Sequence, residues 1–441
     1  MTPCSDSADR LRFQWPEDDL SPEDAESFAS QLSHEDNERR HPIRDFLSLT
    51  FRDYCSSHPV TEDKLKAVNS MIACKTGKLG YTLLHCKSCG KIEMRACACG
   101  NRNCPSCGYL NEKKWVALRQ AEVLPGIPYF HMIFTLPHEL NTLMLHNQKE
   151  TLNLLFRSVR DTILELCRDK LKMVPGILMV LHSFGSNLSI HYHLHVLVTG
   201  GGLSLDQKKF KRCLSNKFFL PLKAVTTLYR GKFLSGLGDL REQKRLSYYN
   251  DAQKYRNSYT WRELIDACYG IDWNVEIRYL APVSQNLKEQ TNAETTDNAI
   301  TYFARYTNRT AISDSRVEDF DCTGIRFKYK DYSHGTYEMK IMHLDADEFI
   351  RRFLMHILPP RFSRIRWAGF LAGCVRQKKL ELINTLLDSV YKESPVKKMS
   401  SAELLKYFYD RDVTVCQSCH APLTIRQRID RHAVANYIRA S

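Results

Sequence analysis

Apolar residues recur with a helical period in two parts of the chain. Between residues 43 and 71 the spacing predicts two consecutive helices. Between residues 152 and 171 it predicts one longer helix with a single apolar face, made of Leu152, Leu155, Val159, Ile163, Leu166 and Cys167. A helix with one apolar face needs a second layer to pack against, so these segments indicate a layered fold.

Short apolar runs predict strands beside these helices. Residues 129–137 form one such run and residues 177–181 form another. The turn sequence Gly185-Ser186-Asn187 separates the second run from residues 191–198. We therefore expect a β-hairpin within an antiparallel sheet covered by helices, which is an α+β fold.

The second strand of this hairpin carries a row of histidines. Side chains of a strand alternate faces, so His191, His193 and His195 lie on one side, about 6.6 Å apart. A hairpin that pivots near residues 187 and 188 places His182 opposite His193 on the same face. Neutral imidazoles are common ligands of divalent metals, which makes His182, His193 and His195 a candidate catalytic metal site. A structural zinc, or a cluster of hydrogen-bonded histidines without metal, is the alternative interpretation.

A second candidate for chemistry lies in residues 300–309. If this segment is helical, Tyr302 and Tyr306 lie roughly 6 Å apart along the axis and about 40° around it, so both hydroxyls reach one site. Arg305 and Arg309 form a parallel cationic pair suited to phosphates. Taken alone, two tyrosines on a helix more often pack than react. The histidine site in the same chain favours the catalytic interpretation.

The cysteines concentrate between residues 74 and 107. Sixteen cysteines in a cytosolic chain are more often thiols and metal ligands than disulfides. Cys86-x2-Cys89 and Cys104-x2-Cys107 are separated by fourteen residues, a spacing that predicts a closed, structural Zn²⁺ site of four thiolates. Three neighbours, Cys74, Cys97 and Cys99, remain as replacements for one of these ligands or as parts of a second site.

A further cysteine pair stands near the C-terminus. Cys416-x2-Cys419 is half of a metal site, and the pattern does not show its partners. His420 is one candidate for a third ligand.

Charge is distributed unevenly along the chain. The first 38 residues carry a formal charge of −9 and the remainder +22, for a total of +13. A body this basic favours a polyanionic partner, most simply a nucleic acid. No apolar run approaches the length of a membrane-spanning helix and the N-terminus lacks a secretory pattern, so we expect a cytoplasmic protein without a membrane partner.

The combined residues indicate the breaking and joining of phosphodiesters. A metal held by imidazoles can polarise a phosphodiester, and a neighbouring tyrosine hydroxyl can attack phosphorus. The phosphotyrosine keeps the energy of the ester bond, so rejoining needs no ATP. We expect single-stranded DNA as the substrate, because aromatic and basic side chains suit an unpaired strand.

The motifs resemble a known family. His193-Leu194-His195 resembles the signature of the HUH endonuclease superfamily, and the order of motifs over about residues 65–375 is similar to the rolling-circle insertion-sequence transposases of the IS91 family. The matching pieces are Cys99-x4-Cys104-Pro105-x-Cys107, Phe134-Thr135-Leu136-Pro137, Tyr302-x3-Tyr306, Glu348-Phe349-Ile350-Arg351-Arg352-Phe353 and Leu358-Pro359-x2-Phe362-x-Arg364.

This resemblance implies a transposase that nicks and joins single-stranded DNA at transposon ends through 5′-phosphotyrosine intermediates. It implies that His193 and His195 bind catalytic Mg²⁺ or Mn²⁺ and that Tyr302 and Tyr306 are the nucleophiles. It also implies that the protein acts in the cytoplasm of a prokaryote, at the nucleoid. The chain has no GxxxxGK[ST] motif, so a helicase or replication proteins would come from the host. A rolling-circle replication initiator or relaxase, or a non-enzymatic zinc-ribbon DNA-binding protein, are the alternatives.

The same reasoning divides the chain into four parts. We expect an acidic leader (residues 1–42), a helical lead-in with the zinc-binding domain (43–112), an HUH-type nuclease domain (113–345) and a helical C-terminal region (346–441) with the last cysteine pair.

Overall fold

The computed structural model describes residues 41–213, 219–280, 300, 303, 306–307, 310–331, 337–389 and 393–430. Its helices are α1 (Pro42–Ser57), α2 (Glu62–Ile72), α3 (Tyr109–Gln120), α4 (Asn141–His146), α5 (Gln148–Leu166), α6 (Leu222–Glu242), α7 (Ser258–Gly270), α8 (Ala346–Met355), α9 (Arg376–Leu386) and α10 (Ser401–Tyr409). Its strands are β1 (Gly80–Cys86), β2 (Ile92–Ala96), β3 (Tyr129–Thr135), β4 (Met173–Phe184), β5 (Ile190–Ser204), β6 (Phe210–Arg212), β7 (Val275–Leu280), β8 (Val317–Phe320), β9 (Gly324–Asp331), β10 (Glu338–Asp345), β11 (Ile365–Gly369) and β12 (Leu423–Asp430).

The chain forms two compact units. Unit 1 consists of residues 1–113, 310–357 and 398–441, and unit 2 of residues 114–309 and 358–397. Residues 345 and 346, between which a domain boundary is predicted, both lie in unit 1. The region after residue 346 is divided between the two units, because β11 pairs with β4 in unit 2 and β12 pairs with β1 in unit 1. The C-terminal region therefore contributes strands as well as helices.

Unit 2 is built on one antiparallel sheet with the strand order β11-β4-β5-β3-β7 and with β6 paired to the far end of β5. The α+β class is confirmed. The predicted hairpin is formed by β4 and β5, and its register places His182 directly opposite His193. The turn chemistry and the alternation of faces are both local properties, which is why this register was predictable.

Helices cover one face of this sheet. The face carries Tyr192, Leu194, Val196 and Val198 of β5, which pack with α5, α6 and α7 in one apolar core. The predicted apolar face of α5 lies in that core, and the helix continues into a π-helical turn at Cys167–Leu171. The other face carries the histidines, so the sheet separates the core from the candidate site.

Glycines in the second half of β5 allow its neighbours to approach closely. A Cβ atom on Gly202 would lie 2.4 Å from the Val174 carbonyl oxygen of β4, and one on Gly200 would lie 2.7 Å from Pro128 Cγ. Only glycine fits at such contacts without a backbone shift. The glycine run therefore serves sheet packing, and β5 continues through it to Ser204.

Unit 1 contains two small antiparallel sheets, with the orders β12-β1-β2 and β10-β9-β8. Phe46 of α1 packs edge-to-face on Phe349 of α8, with ring centroids 5.2 Å apart, and Phe327 of β9 contacts the same ring at 6.1 Å. These aromatic contacts join the helices to the second sheet. Within the described residues, none of the helices combines the length and apolar character needed to cross a membrane.

Candidate active site

Three histidines converge on the face of the sheet in unit 2 that lies opposite the main apolar core. His182 of β4 and His193 and His195 of β5 each present one ring nitrogen within 4.8 Å of the others. Their ring centroids are 4.5 to 5.2 Å apart, and their exposed fractions are 3, 9 and 5%. His191 lies on the same side at the exposed start of β5 but is outside this group. The predicted trio is thus brought together by the hairpin register.

Backbone carbonyls orient two of these rings. The carbonyl of His191 lies 2.9 Å from Nδ1 of His193, and the carbonyl of Tyr306 lies 2.6 Å from Nε2 of His182. A carbonyl oxygen can only accept, so each of these nitrogens donates its proton. His193 then presents Nε2 and His182 presents Nδ1 as the ligand atom, and such outer contacts hold imidazole ligands in place.

His131 of β3 orients the third ring and was missed by the sequence reasoning. Its Nε2 lies 3.0 Å from Nδ1 of His195, and its side chain is fully buried. Burial, with a smaller contribution from Arg278, lowers the pKa of His131 to about 4, so the ring is neutral at pH 7. A signal was present: within the apolar strand β3, alternation places residue 131 on the face opposite Phe130, Met132 and Phe134.

Tyr306 lies against this histidine cluster. Its ring stacks on that of His195, with centroids 4.0 Å apart and planes 26° apart, and its centroid is 5.1 Å from that of His131. Ile300, Phe303 and Tyr306 are helical and share an apolar cluster with the histidine face of the sheet. The structure therefore joins Tyr306 to the histidines. Tyr302, Arg305 and Arg309 lie outside the described residues.

A cation from β7 borders the site. Arg278 pairs in register with His131, which places both on the histidine face, and its guanidinium lies 2.5 Å from Glu276. Its side chain is 54% exposed. An exposed arginine beside the histidines is suited to contact a phosphate backbone.

The four cysteines predicted to share one zinc do not lie together, so that grouping is wrong. Cys104 and Cys107 group with Cys74 and Cys99, and the sulfur atoms of this group lie within 4.8 Å of one another. Cys86 and Cys89 instead group with the C-terminal pair, Cys416 and Cys419. Spacing predicts which cysteines form a pair, but strand pairing decides which pairs meet.

The first cysteine group is partly buried and hydrogen-bonded. Cys99 Sγ lies 3.6 Å from Cys107 Sγ, and the N–H of Cys99 donates to Cys74 Sγ at 3.4 Å. The hydrogen bond with Cys104 lowers the pKa of Cys107 and favours its thiolate, the form that binds metals. Such a set of four sulfurs fits a closed, tetrahedral zinc site.

Comparisons with known proteins give two family matches and two similar transposases. Residues 46–136 match a family described as "Transposase zinc-binding domain", and residues 176–379 match one described as "Putative transposase". The chain is 32% identical over 362 residues to "Putative transposase y4qJ" of Sinorhizobium fredii, and this alignment covers 80% of this chain and 86% of that protein. It is 29% identical over 389 residues to "Transposase for insertion sequence element IS801" of Pseudomonas savastanoi pv. phaseolicola. That alignment covers 86% of this chain and 88% of that protein.

The chain belongs to the IS91 family of transposases.

The matched regions of this transposase contain the features described above. The zinc-binding domain includes the whole first cysteine group and Cys86 and Cys89, but neither Cys416 nor Cys419. The second matched region includes β4 from Gly176 onward, all of β5 and Tyr306. In the sequence, His131 comes after the first cysteine group and before the hairpin, within the zinc-domain match. No solved structure matches the chain.

Proposed function

We propose that this transposase cuts and rejoins single-stranded DNA at the ends of its element through 5′-phosphotyrosine intermediates, in rolling-circle transposition. The observation that supports this most directly is the stacking of the Tyr306 ring on His195, at 4.0 Å, beside three convergent imidazoles. If Tyr306 served only to fill space, it would not need the convergent ring nitrogens of three histidines on β4 and β5 beside it.

His182, His193 and His195 would hold the catalytic divalent metal. When bound, that ion would polarise the scissile phosphate and stabilise the charge that develops on it. An all-imidazole donor set suits Mn²⁺ better than Mg²⁺, which prefers oxygen ligands. The residues present therefore fit a metal site, with Mn²⁺ favoured.

Tyr306 and Tyr302 are the proposed nucleophiles. The tyrosine oxygen forms a bond to phosphorus, the bond from phosphorus to the 3′ oxygen breaks, and the phenolic proton is lost while the 3′ oxygen gains one. The 5′ end stays covalently bound until a 3′ hydroxyl attacks the phosphotyrosine and restores the phosphodiester. With two tyrosines, one can hold the first cut end while the other cuts again.

His182 links the proposed metal site to the proposed nucleophile. Nε2 of His182 donates to the Tyr306 carbonyl at 2.6 Å, which leaves Nδ1 as the nitrogen of this ring that would bind the metal. Displacing the helix that carries Tyr306 would therefore also disturb a metal ligand. This coupling keeps the attacking group and the polarised phosphate in one geometry.

Cationic side chains would hold the unpaired strand. Arg278 is the described candidate, and Arg305 and Arg309 are candidates by their position near Tyr306 in the sequence. Strand separation would depend on a host helicase or replication proteins, in keeping with a sequence that contains no GxxxxGK[ST] motif. The place of action would be the nucleoid in the bacterial cytoplasm.

The group of Cys74, Cys99, Cys104 and Cys107 would hold the structural Zn²⁺ of the zinc-binding domain. Its sulfurs lie within 4.8 Å of one another, and the site is closed, without a position for a substrate. Its role is then to stabilise a small module, and the chemistry belongs to the histidine site.

The proposal is tested by trapping the covalent adduct. Full-length protein is incubated with a single-stranded oligonucleotide that contains an element end, with Mn²⁺ or Mg²⁺, and the adduct is resolved on a denaturing gel. Tyr302→Phe and Tyr306→Phe should each lower the adduct sharply, and the double variant should lose it. His193→Ala with His195→Ala should abolish it, because the metal can no longer be held.

Tyr249→Phe is the matched control, since Tyr249 is an exposed tyrosine of unit 2 whose ring contacts His146, which is not one of the proposed metal ligands. Its adduct should equal that of the wild type. An undiminished adduct in the double tyrosine variant would place the nucleophile elsewhere. Nicking without transfer between DNA ends would favour a replication initiator or relaxase over a transposase.

A further inference from the structure

The second cysteine group is formed by two turns of the same conformation. In the first turn, the N–H of Cys86 donates to the Lys91 carbonyl at 2.8 Å and the N–H of Gly90 donates to the Cys86 carbonyl at 2.9 Å. In the second, the N–H of Cys416 donates to the Ala421 carbonyl at 2.8 Å and that of His420 to the Cys416 carbonyl at 2.9 Å. The residue after each pair, Gly90 or His420, has a positive φ of 73° or 58°.

The sulfur atoms face one another at distances suited to a metal. Cys86 Sγ lies 3.4 Å from Cys419 Sγ, and Cys89 Sγ lies 3.7 Å from Cys416 Sγ. A tetrahedral zinc with Zn–S bonds of about 2.3 Å separates its sulfurs by about 3.8 Å. A disulfide would need about 2.05 Å, and all four cysteines are free.

The C-terminal segment has almost no apolar core of its own. From residue 398 to 430, the buried side chains among those described are Leu404 and Cys416. The segment is held by the pairing of β12 with β1 and by polar contacts such as Lys91 Nζ to Ser418 Oγ at 3.0 Å and Arg95 to the Val413 carbonyl at 2.7 Å. A segment with so little buried apolar surface commonly relies on a structural metal.

We propose that Cys86, Cys89, Cys416 and Cys419 bind a second zinc ion, which fastens the C-terminal segment of unit 1 to its first sheet. Half of this site lies in the family's zinc-binding domain and half lies more than 320 residues later in the chain. The zinc ion would therefore connect two cysteine pairs between which the whole of unit 2 lies in the sequence. The proposal does not depend on the proposed DNA chemistry.

Zinc counting tests the proposal without DNA. Purified full-length protein should contain two zinc ions per chain by elemental analysis. The pair variant Cys416→Ser with Cys419→Ser should contain one, as should Cys86→Ser with Cys89→Ser. Replacing all four should again leave one, because both pairs hold the same ion. The exposed cysteines Cys322 and Cys374 supply the control pair, and their serine variant should keep two.

Limited proteolysis provides a second readout that also reports on folding. In each pair variant, new cleavage should appear between residues 398 and 430, while peptides of α5 and β5 in unit 2 stay protected. Retention of two zinc ions in the Cys416 and Cys419 variant would overturn the proposal, as would a wild-type count of one. A loss of both ions when all four cysteines are replaced would also contradict it.

Discussion

The His131 imidazole lies behind His195, with Nε2 of the one ring 3.0 Å from Nδ1 of the other. Because burial lowers the pKa of His131 to about 4, the His131 ring is neutral at pH 7. For His195 to present Nε2 to the proposed metal, its Nδ1 must carry the proton and donate to Nε2 of His131. A ligand whose second nitrogen is held in this way has a defined tautomer and orientation.

Replacing His131 should weaken the metal site without removing a ligand. We expect His131→Leu to raise the Mn²⁺ concentration for half-maximal adduct formation by about 10- to 100-fold, since that is the typical effect of losing an outer contact. His131→Gln keeps an acceptor and should restore part of the affinity. The measurement is a Mn²⁺ titration of the adduct assay.

His191→Gln is the control for this prediction. His193 is oriented by the His191 backbone carbonyl, so a change of that exposed side chain should leave the Mn²⁺ requirement nearly unchanged. An unaltered Mn²⁺ requirement in His131→Leu would show that His131 only fills space beneath the site.

At the scale of elements, the candidate site depends on the packing of β5 between β4 and β3. The histidines occupy the first half of β5 and the glycine run the second half. The glycines let Val174 of β4 and Pro128 approach the backbone, and this close packing holds the strand in its place. A shift of β5 by one residue would turn every histidine to the opposite face.

A methyl group at residue 202 should therefore destabilise unit 2. In Gly202→Ala the added Cβ would meet the Val174 carbonyl oxygen at 2.4 Å, so backbone must move, at a cost of about 1–3 kcal/mol. The urea midpoint of unfolding, followed by circular dichroism, measures this loss.

Gly238→Ala in α6 provides the matched control, because a Cβ there meets nothing within 4 Å. Alanine favours a helix over glycine, so stability should rise by up to about 1 kcal/mol. Equal midpoints for wild type and Gly202→Ala would show that the strands have room to separate at this position.

At the scale of the whole molecule, net charge should control the affinity of the transposase for DNA. The residues after position 38 carry a formal charge of +22, and the first 38 carry −9. Cations that neutralise phosphates release counterions, so affinity should fall steeply as salt increases. We expect the negative charge of the first 38 residues to oppose this attraction.

Removal of residues 1–38 should strengthen non-specific binding to single-stranded DNA, and more at low salt than at high salt. Fluorescence anisotropy across a salt series, with the double tyrosine variant to prevent cleavage, gives the affinities. A full-length variant with the leader acids changed to amides separates charge from length and should behave like the truncation. Identical affinities at low salt would exclude an electrostatic role for the leader.

Much of the candidate site could be predicted because its determinants are local. The alternation of apolar and imidazole side chains, and a turn of three small polar residues, determined the register that pairs His182 with His193. The motif order was sufficient to indicate the family. The approach of His131 to His195 was harder to predict, because it depends on the pairing of β3 with β5.

The cysteines show where sequence reasoning ends. The amino-acid sequence by itself determined the paired thiols, since a Cys-x2-Cys turn aims two sulfurs at one point whatever surrounds it. Only the tertiary structure decided which pairs share an ion, because β12 pairs with β1 and brings Cys416 and Cys419 to Cys86 and Cys89. It likewise decided that Tyr306 meets the histidines. Spacing specifies a turn, whereas a complete site needs distant strands and helices to converge.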